Sequence, residues 1–116
     1  MTFDPEPDLS ESAVTDRVDA TIDDNDVVLF MKGTPLMPQC GYSRRALGLI
    51  DQYRDEFETV NVLDALDAYR SALKQRSDWE TIPQAYVEGE FIGGSDILAE
   101  LDERGELQQT LTTDSS

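Results

Sequence analysis

Cysteine and histidine are nearly absent from this sequence: of its 116 residues one is a cysteine, Cys40, and none is a histidine. The lack of histidine excludes Cys-His nucleophilic catalysis and every histidine-ligated metal site. A single cysteine excludes an intramolecular disulfide, and it leaves too few ligands for a zinc site within one chain. The thiol chemistry open to the chain is therefore that of one sulfur.

Basic residues are also scarce. Nine lysines and arginines stand against 25 aspartates and glutamates, which gives a net charge of −16. A surface of this charge repels nucleic acid and anionic membranes, so we exclude both as partners. The carboxylates are scattered along the whole chain, which favours an acidic surface adapted to a salty cytoplasm over a metal-buffering cluster.

The sequence has no long apolar run. No stretch approaches the roughly 20 apolar residues that a membrane-spanning helix needs. Residues 1–8 are acidic and do not resemble a signal peptide, so we expect a cytoplasmic protein. The length fits one domain, and we predict an acidic tail at 1–9, the domain at 10–111 and a C-terminal tail at 112–116.

Hydrophobic periodicity predicts eight elements along the chain. In chain order they are a helix from Ser10 or Ser12, a buried parallel strand at Val27–Met31, a helix from Cys40, a strand at 57–62, a helix at 65–76, a hairpin of strands Gln84–Val87 and 91–92, and a helix capped by Ser95 or Asp96. Leu107 and Leu111 are expected to complete the packing. The order α-β-α-β-α-β-β-α predicts an α/β protein of thioredoxin-like fold, with a mixed four-stranded sheet flanked by helices.

Cys40 lies where a predicted loop, residues 32–39, meets a predicted helix. A sulfur at a helix start is close to unpaired backbone N–H groups and to the positive end of the helix dipole, both of which lower a thiol pKa. Lys32 at the mouth of the loop adds positive charge. A core cysteine is expected inside an apolar run, whereas Gln39 and Gly41 flank this one, so the pattern favours a reactive thiol over a buried apolar side chain.

The motif at residues 40–43 is Cys-Gly-Tyr-Ser, which lacks the second cysteine of a CxxC redox pair. A resolving thiol must come from outside, either from a small thiol such as glutathione or from a second protein. A [2Fe-2S] cluster takes four thiolate ligands. Two chains and two glutathione thiols supply four, so a cluster-bridged homodimer or heterodimer is allowed.

Three further features are candidates for ligand binding. Pro83, after Ile82 and before a strand, is a candidate cis-proline that leaves a backbone edge free beside the cysteine. The segment 93–96, Gly-Gly-Ser-Asp, can present N–H groups to a carboxylate and its Asp96 to an ammonium, and Arg70 can meet a carboxylate. Each has a commoner structural explanation, namely a strand boundary, a helix cap or a solvated helix face.

Two segments of the chain resemble the monothiol glutaredoxins, whose active site is usually Cys-Gly-Phe-Ser. They are residues 27–43, VVLFMKGTPLMPQCGYS, and residues 79–98, WETIPQAYVEGEFIGGSDIL, and the similarity runs from about Ser10 to Leu111. Two long segments in the same order are far more specific than a four-residue match. The resemblance implies a thioredoxin fold, a [2Fe-2S] cluster held by a glutathione-ligated dimer, and transfer of that cluster to iron-sulfur acceptor proteins.

The resemblance also assigns roles to residues of this chain. Cys40 is the implied cluster ligand, and the remaining implied residues surround glutathione: Lys32 and Arg70 at a carboxylate, Ile82 with Pro83 at the peptide backbone, Ser95 and Asp96 at the γ-glutamyl end, and Gly93 and Gly94 where the ligand approaches closely. The small thiol can equally be a related γ-glutamyl thiol.

Two positions depart from the family pattern. Tyr42 replaces the usual phenylalanine and adds a hydroxyl to a ring that we expect to be exposed. Ser95 occupies a position where many members have a cysteine, so a regulatory disulfide with Cys40 is impossible here, while a serine can still cap the helix.

Two other functions remain open from the sequence. A glutathione-dependent thiol-disulfide oxidoreductase needs only Cys40 as its nucleophile. A redox-inert adaptor would use the fold to bind partners and would not need the cysteine. By resemblance, the long loop at 32–39 goes with cluster binding and favours the carrier over the reductase.

Overall fold

The central strand of the sheet is β1, Val27–Met31, in which five consecutive apolar residues are all buried. In the computed structural model, which describes residues 10–112, β1 pairs in parallel with β2 (Glu58–Asn61) and antiparallel with β3 (Gln84–Val87). Strand β4 (Glu90–Gly93) completes a sheet of order β2-β1-β3-β4. A strand covered on both faces needs apolar side chains at every position, which explains the unbroken run in β1.

Helices cover both faces of this sheet, as the sequence predicts. Their bounds are α1 Glu11–Asp24, α2 Gly41–Asp51, α3 Leu66–Ser77, α4 Ser95–Glu103 and α5 Leu107–Leu111, with a 3-10 turn at Val62–Ala65 before α3. Helices α1 and α3 share one apolar cluster with Val28 and Phe30 of β1. Helices α2, α4 and α5 share the other with Val27, Leu29 and Met31. The predicted mixed four-stranded sheet flanked by helices is therefore confirmed.

The helix cap predicted at Ser95 or Asp96 is wrong. Gly94 is the N-cap of α4 and forms no side-chain capping bond, and Ser95 is already the first helical residue. Strand β4 also continues through Gly93 instead of ending before it. The chain passes from strand to helix through backbone conformations that glycine supplies, so no polar cap is needed.

The end of β2 is one residue earlier than the sequence predicts, because Val62 begins the 3-10 turn. The Asn61 side chain accepts hydrogen bonds from the Leu63 N–H and from the Gly33 N–H, each at 3.0 Å. The second bond ties the loop that follows β1 to the end of β2. Both parallel strands therefore deliver their carboxyl ends to one edge of the sheet, where Cys40 also lies.

The loop between β1 and α2 is a hydrogen-bonded turn. The Gln39 N–H donates to the Lys32 carbonyl at 2.9 Å, which closes the loop at its base. Gly33 has a φ of +92°, and a Cβ at this position would lie 2.5 Å from the Met37 carbonyl oxygen. Only glycine fits this turn without displacing the segment that leads into Cys40.

Parts of the prediction fall outside the described residues. The acidic tail at 1–9 and residues 113–116 of the predicted C-terminal tail are not described. Between residues 10 and 112, no helix is long and apolar enough to cross a membrane.

Two glycine substitutions test the loop. Gly33→Ala should lower the free energy of unfolding by at least about 1–2 kcal/mol, because a positive φ and a backbone clash both oppose a Cβ. Gly48→Ala, the matched control within α2, has nothing within 4 Å of the added Cβ and should raise stability by about 0.5–1 kcal/mol. Urea denaturation of both variants measures the difference, and a Gly33→Ala protein as stable as wild type would contradict this account of the loop.

Candidate functional site around Cys40

Cys40 is the residue at which the loop ends and α2 begins. It is the N-cap of α2, its backbone is extended, and its carbonyl accepts the first helical hydrogen bond, from the Arg44 N–H at 2.9 Å. The side chain is partly buried and forms no capping hydrogen bond as a thiol. The predicted position of the sulfur at a helix start is therefore confirmed.

The surroundings of Cys40 favour its thiolate. Partial burial raises the pKa of the thiol, but the backbone N–H groups of Ser43 and Tyr42, the Ser43 hydroxyl and the charge of Lys32 outweigh it, so the net pKa of Cys40 lies below its ordinary value. These donors occupy the second and third positions of α2, where backbone N–H groups have no partner within the helix. A negative sulfur accepts from them more strongly than a neutral thiol does. Cys40 is thus poised to act as a nucleophile or a metal ligand.

Ser43 is a functional residue that the sequence pattern does not reveal. Its side chain is completely buried, and its Oγ accepts a hydrogen bond from the Lys32 N–H at 3.0 Å. The hydroxyl hydrogen remains available to the sulfur of Cys40. The position three residues after the N-cap is typical of a contact with Cys40, whereas the bond to the Lys32 N–H depends on the fold.

A groove of about 550 Å³ lies beside the start of α2. Its walls come from the second half of the chain and include, among the predicted residues, Ile82, Pro83, Gly93, Gly94, Ser95 and Asp96. Tyr42 joins them from α2, with its ring exposed as expected. The structure therefore brings six of the predicted ligand-binding residues together at one concave surface.

The three remaining predicted residues, Cys40, Lys32 and Arg70, do not line this groove. Lys32 follows β1 and lies close enough to Cys40 for its charge to act on the thiol. Arg70 lies in α3, on the opposite face of the sheet from α2. Within residues 10–112 neither Lys32 nor Arg70 forms a salt bridge, so both charges are available to an anionic ligand.

The peptide bond between Ile82 and Pro83 is cis, as predicted. Both residues are buried and lie directly before β3. A Cβ on Gly94 would lie 3.1 Å from the Pro83 carbonyl oxygen, and one on Gly93 would lie 2.7 Å from the Ile97 Cβ. The two glycines thus allow β4 and the start of α4 to pack closely against their neighbours.

A buried polar network holds the outer wall of the groove in place. The Gln84 side chain is 1% exposed, and its Nε2 donates to the Trp79 carbonyl at 2.7 Å. Its Oε1 accepts from the Tyr86 hydroxyl at 2.8 Å and from the Ser77 hydroxyl at 3.1 Å. Trp79 stacks at an angle on Phe91, with 6.3 Å between ring centroids. Gln84 is a second residue whose role the sequence pattern does not reveal.

Acidic residues of the described chain do not gather into a metal site. No group of three or more cysteine, aspartate and glutamate side chains is placed to bind a metal ion between residues 10 and 112. Any metal bound at Cys40 would therefore need ligands from other molecules.

Known proteins are similar to this chain in sequence. The glutaredoxin family model matches residues 27–92. The chain is similar to the ycf64-like monothiol glutaredoxin of Synechocystis sp., with 48% identity over 95 residues that cover 82% of this chain and 88% of that protein. It is 43% identical over 105 residues to monothiol glutaredoxin-4 of Schizosaccharomyces pombe, which covers 90% of this chain and 43% of that longer protein.

Solved structures of glutaredoxins are also similar to this chain. A buckwheat glutaredoxin-glutathione complex matches with a TM-score of 0.75 and 27% identity, over 92% of this chain and 94% of that one. The likeness covers most of both chains and supports the same overall fold.

Replacing Ser43 by alanine tests its role at the thiol. Ser43→Ala removes a donor to the thiolate and the acceptor of the Lys32 N–H, so the pKa of Cys40 should rise relative to wild type. The rate of Cys40 alkylation by iodoacetamide should therefore rise with pH around a higher midpoint than in wild type. The pH dependence of this rate measures the shift.

Two variants serve as controls for that measurement. Ser71→Ala removes an exposed hydroxyl that donates to Glu11, and it should leave the profile unchanged. Lys32→Met should raise the pKa of Cys40 by less than Ser43→Ala does, and its effect should fade in concentrated salt because the charge is screened. A Ser43→Ala profile identical to wild type would show that the hydroxyl does not stabilise the thiolate.

Proposed function

We propose that this chain, which belongs to the monothiol glutaredoxin family, binds a [2Fe-2S] cluster together with glutathione and delivers it to iron-sulfur acceptor proteins. The observation that carries the proposal is the exposure and lowered pKa of its single thiol, which has no second cysteine to react with. Cys40 is partly exposed, its pKa is lowered, and the position that could hold a resolving cysteine is a buried serine that supports the thiolate instead.

The donor set fits one corner of such a cluster. A [2Fe-2S] cluster is held by thiolates, and Cys40 supplies one. The chain holds no other cysteine and no histidine, so three ligands must come from other molecules. Two glutathione thiolates and Cys40 of a second chain complete the set, which makes the loaded form a homodimer or, with a different family member, a heterodimer.

Glutathione has a surface suited to it beside Cys40. A buckwheat glutaredoxin of similar fold was solved as a glutathione complex, which supports glutathione as the ligand of the groove beside Cys40. We assign the backbone of Ile82, next to Pro83, to pair with the peptide of the ligand, and Asp96 to its ammonium. A related γ-glutamyl thiol carries the same groups and would bind in the same way.

The opposite end of glutathione is a carboxylate, for which Lys32 and Arg70 are the proposed partners. Arginine and lysine are the side chains that pair with carboxylates, and neither of these two is engaged in a salt bridge between residues 10 and 112. At the γ-glutamyl end, Gly94 and Ser95 lie at the start of α4, where unpaired backbone N–H groups favour the α-carboxylate. The ligand would thus be held along its whole length.

Close to the thiol, this chain exposes large apolar side chains that a second chain could cover. Leu36, Met37 and Tyr42 are exposed by 95%, 67% and 63%. Leu36 and Met37 belong to the loop before Cys40, and Tyr42 follows it by two residues. Large apolar side chains at this exposure favour contact with another protein, either the second chain of the dimer or an acceptor.

A second candidate function is glutathione-dependent thiol-disulfide exchange, which the lowered pKa of Cys40 also favours. The Cys40 thiolate would attack the glutathione sulfur of a mixed disulfide and release the substrate thiolate. A second glutathione thiolate would then attack the Cys40-glutathione disulfide, which forms oxidised glutathione and restores Cys40. This cycle needs no second protein chain.

Anaerobic reconstitution with iron, sulfide and glutathione separates the two functions. The wild-type chain should gain visible absorption and elute as a dimer, because each chain supplies one thiolate. Absorption spectroscopy combined with size-exclusion chromatography measures both properties on the same sample.

The matched variant for this experiment is Cys40→Ser, which should stay colourless and monomeric. A wild-type protein that stays colourless and monomeric while it reduces glutathione mixed disulfides rapidly would overturn the carrier function and support the reductase.

A further inference from the structure

An ion pair crosses from the Cys40 helix to the rim of the groove. The Arg45 guanidinium, in α2, lies with its Nη1 3.6 Å from Oδ1 of Asp96, in α4. The Asp96 side chain is 86% exposed and that of Arg45 is 52% exposed. An exposed pair of this kind contributes at most about 1 kcal/mol to stability. Its position matters more, because Asp96 lines the groove.

We propose that Arg45 determines ligand specificity by binding the α-carboxylate of the γ-glutamyl thiol while Asp96 binds its α-ammonium. This rests on the proposed function, in which the γ-glutamyl end lies at Asp96. An α-amino acid carries a cation and an anion on one carbon, and an aspartate 3.6 Å from an arginine presents the opposite charges at a similar spacing. The planar guanidinium is suited to a carboxylate because it presents two parallel N–H donors.

The charge of the rest of the chain gives Arg45 a further effect. The net charge is −16, so the surface as a whole repels an anionic ligand. A cation at the rim of the groove offsets this repulsion where the ligand enters. Without Arg45, the α-carboxylate of the ligand would lie near the Asp96 carboxylate without the guanidinium that is paired with Asp96.

The neighbouring arginine provides a matched control. Arg44 is also exposed and also in α2, but it lines a different groove, together with Asp51, Asp55 and Phe57. Arg44→Gln and Arg45→Gln therefore remove the same charge one residue apart on the same helix. Only the second removes a cation adjacent to Asp96.

Isothermal titration calorimetry with two ligands tests the proposal. Reduced glutathione carries the α-carboxylate, whereas γ-aminobutyryl-cysteinyl-glycine lacks only that group. Arg45→Gln should weaken glutathione binding about fivefold, the loss of roughly one charged contact. It should leave binding of the analogue unchanged, and Arg44→Gln should bind both ligands as wild type does.

Other outcomes overturn the inference. Arg45 does not recognise the carboxylate if Arg45→Gln binds glutathione as tightly as wild type, loses the same affinity for the analogue, or loses no more than Arg44→Gln. A wild-type chain that binds neither ligand would overturn the proposed function itself. A wild-type chain that binds both ligands equally well would overturn only the role of Arg45.

Discussion

One hydrogen bond, from the Lys32 N–H to the buried Ser43 hydroxyl, joins the end of the central strand to the first turn of α2. This bond joins the two ends of the loop between β1 and α2, so the loop projects from the sheet edge. Cys40 is thereby fixed at the helix start, and the hydroxyl that accepts from the strand can donate to the sulfur. Ser43 therefore occupies the position of the second cysteine of a CxxC motif and stabilises the thiolate of the first.

The second half of the chain supplies the surface for a ligand beside that thiol. β3 lies antiparallel to β1, so the residues just before β3 reach the edge of the sheet where β1 ends. The cis peptide before Pro83 and the close packing at Gly93 and Gly94 bring the start of α4 to the same edge. The thiol of Cys40 and the groove walls from the second half of the chain thus meet at one edge of the sheet.

The sequence predicts those parts of the molecule that depend on local patterns. An unbroken apolar run predicts β1, and a proline before a strand makes Pro83 a candidate for the cis peptide that the structure contains. The position of Cys40 between loop and helix predicted its lowered pKa. Periodicity located every long helix to within a residue or two, because an amphipathic face must be buried.

What the sequence did not predict depends on contacts between distant segments. Ser43, Gln84 and Arg45 are polar residues in helices or strands, and nothing in their neighbours shows that they meet Lys32, Trp79 and Asp96. The cap predicted at Ser95 or Asp96 is wrong for a related reason, because β4 ends at Gly93, with a φ of +144°, and Gly94 already takes the N-cap position. Polar contacts of this kind follow from the fold and cannot be read from spacing.

In the proposed function, Cys40 supplies one of four ligands in an assembly with glutathione and a second chain. The most direct measurement is the composition of the reconstituted dimer after removal of free glutathione, by iron, sulfide and thiol analysis. The account predicts roughly one iron, one sulfide and one glutathione per chain, as four thiolates around two irons require. A coloured protein that holds its cluster without glutathione, or that holds a complete cluster as a monomer, would contradict it.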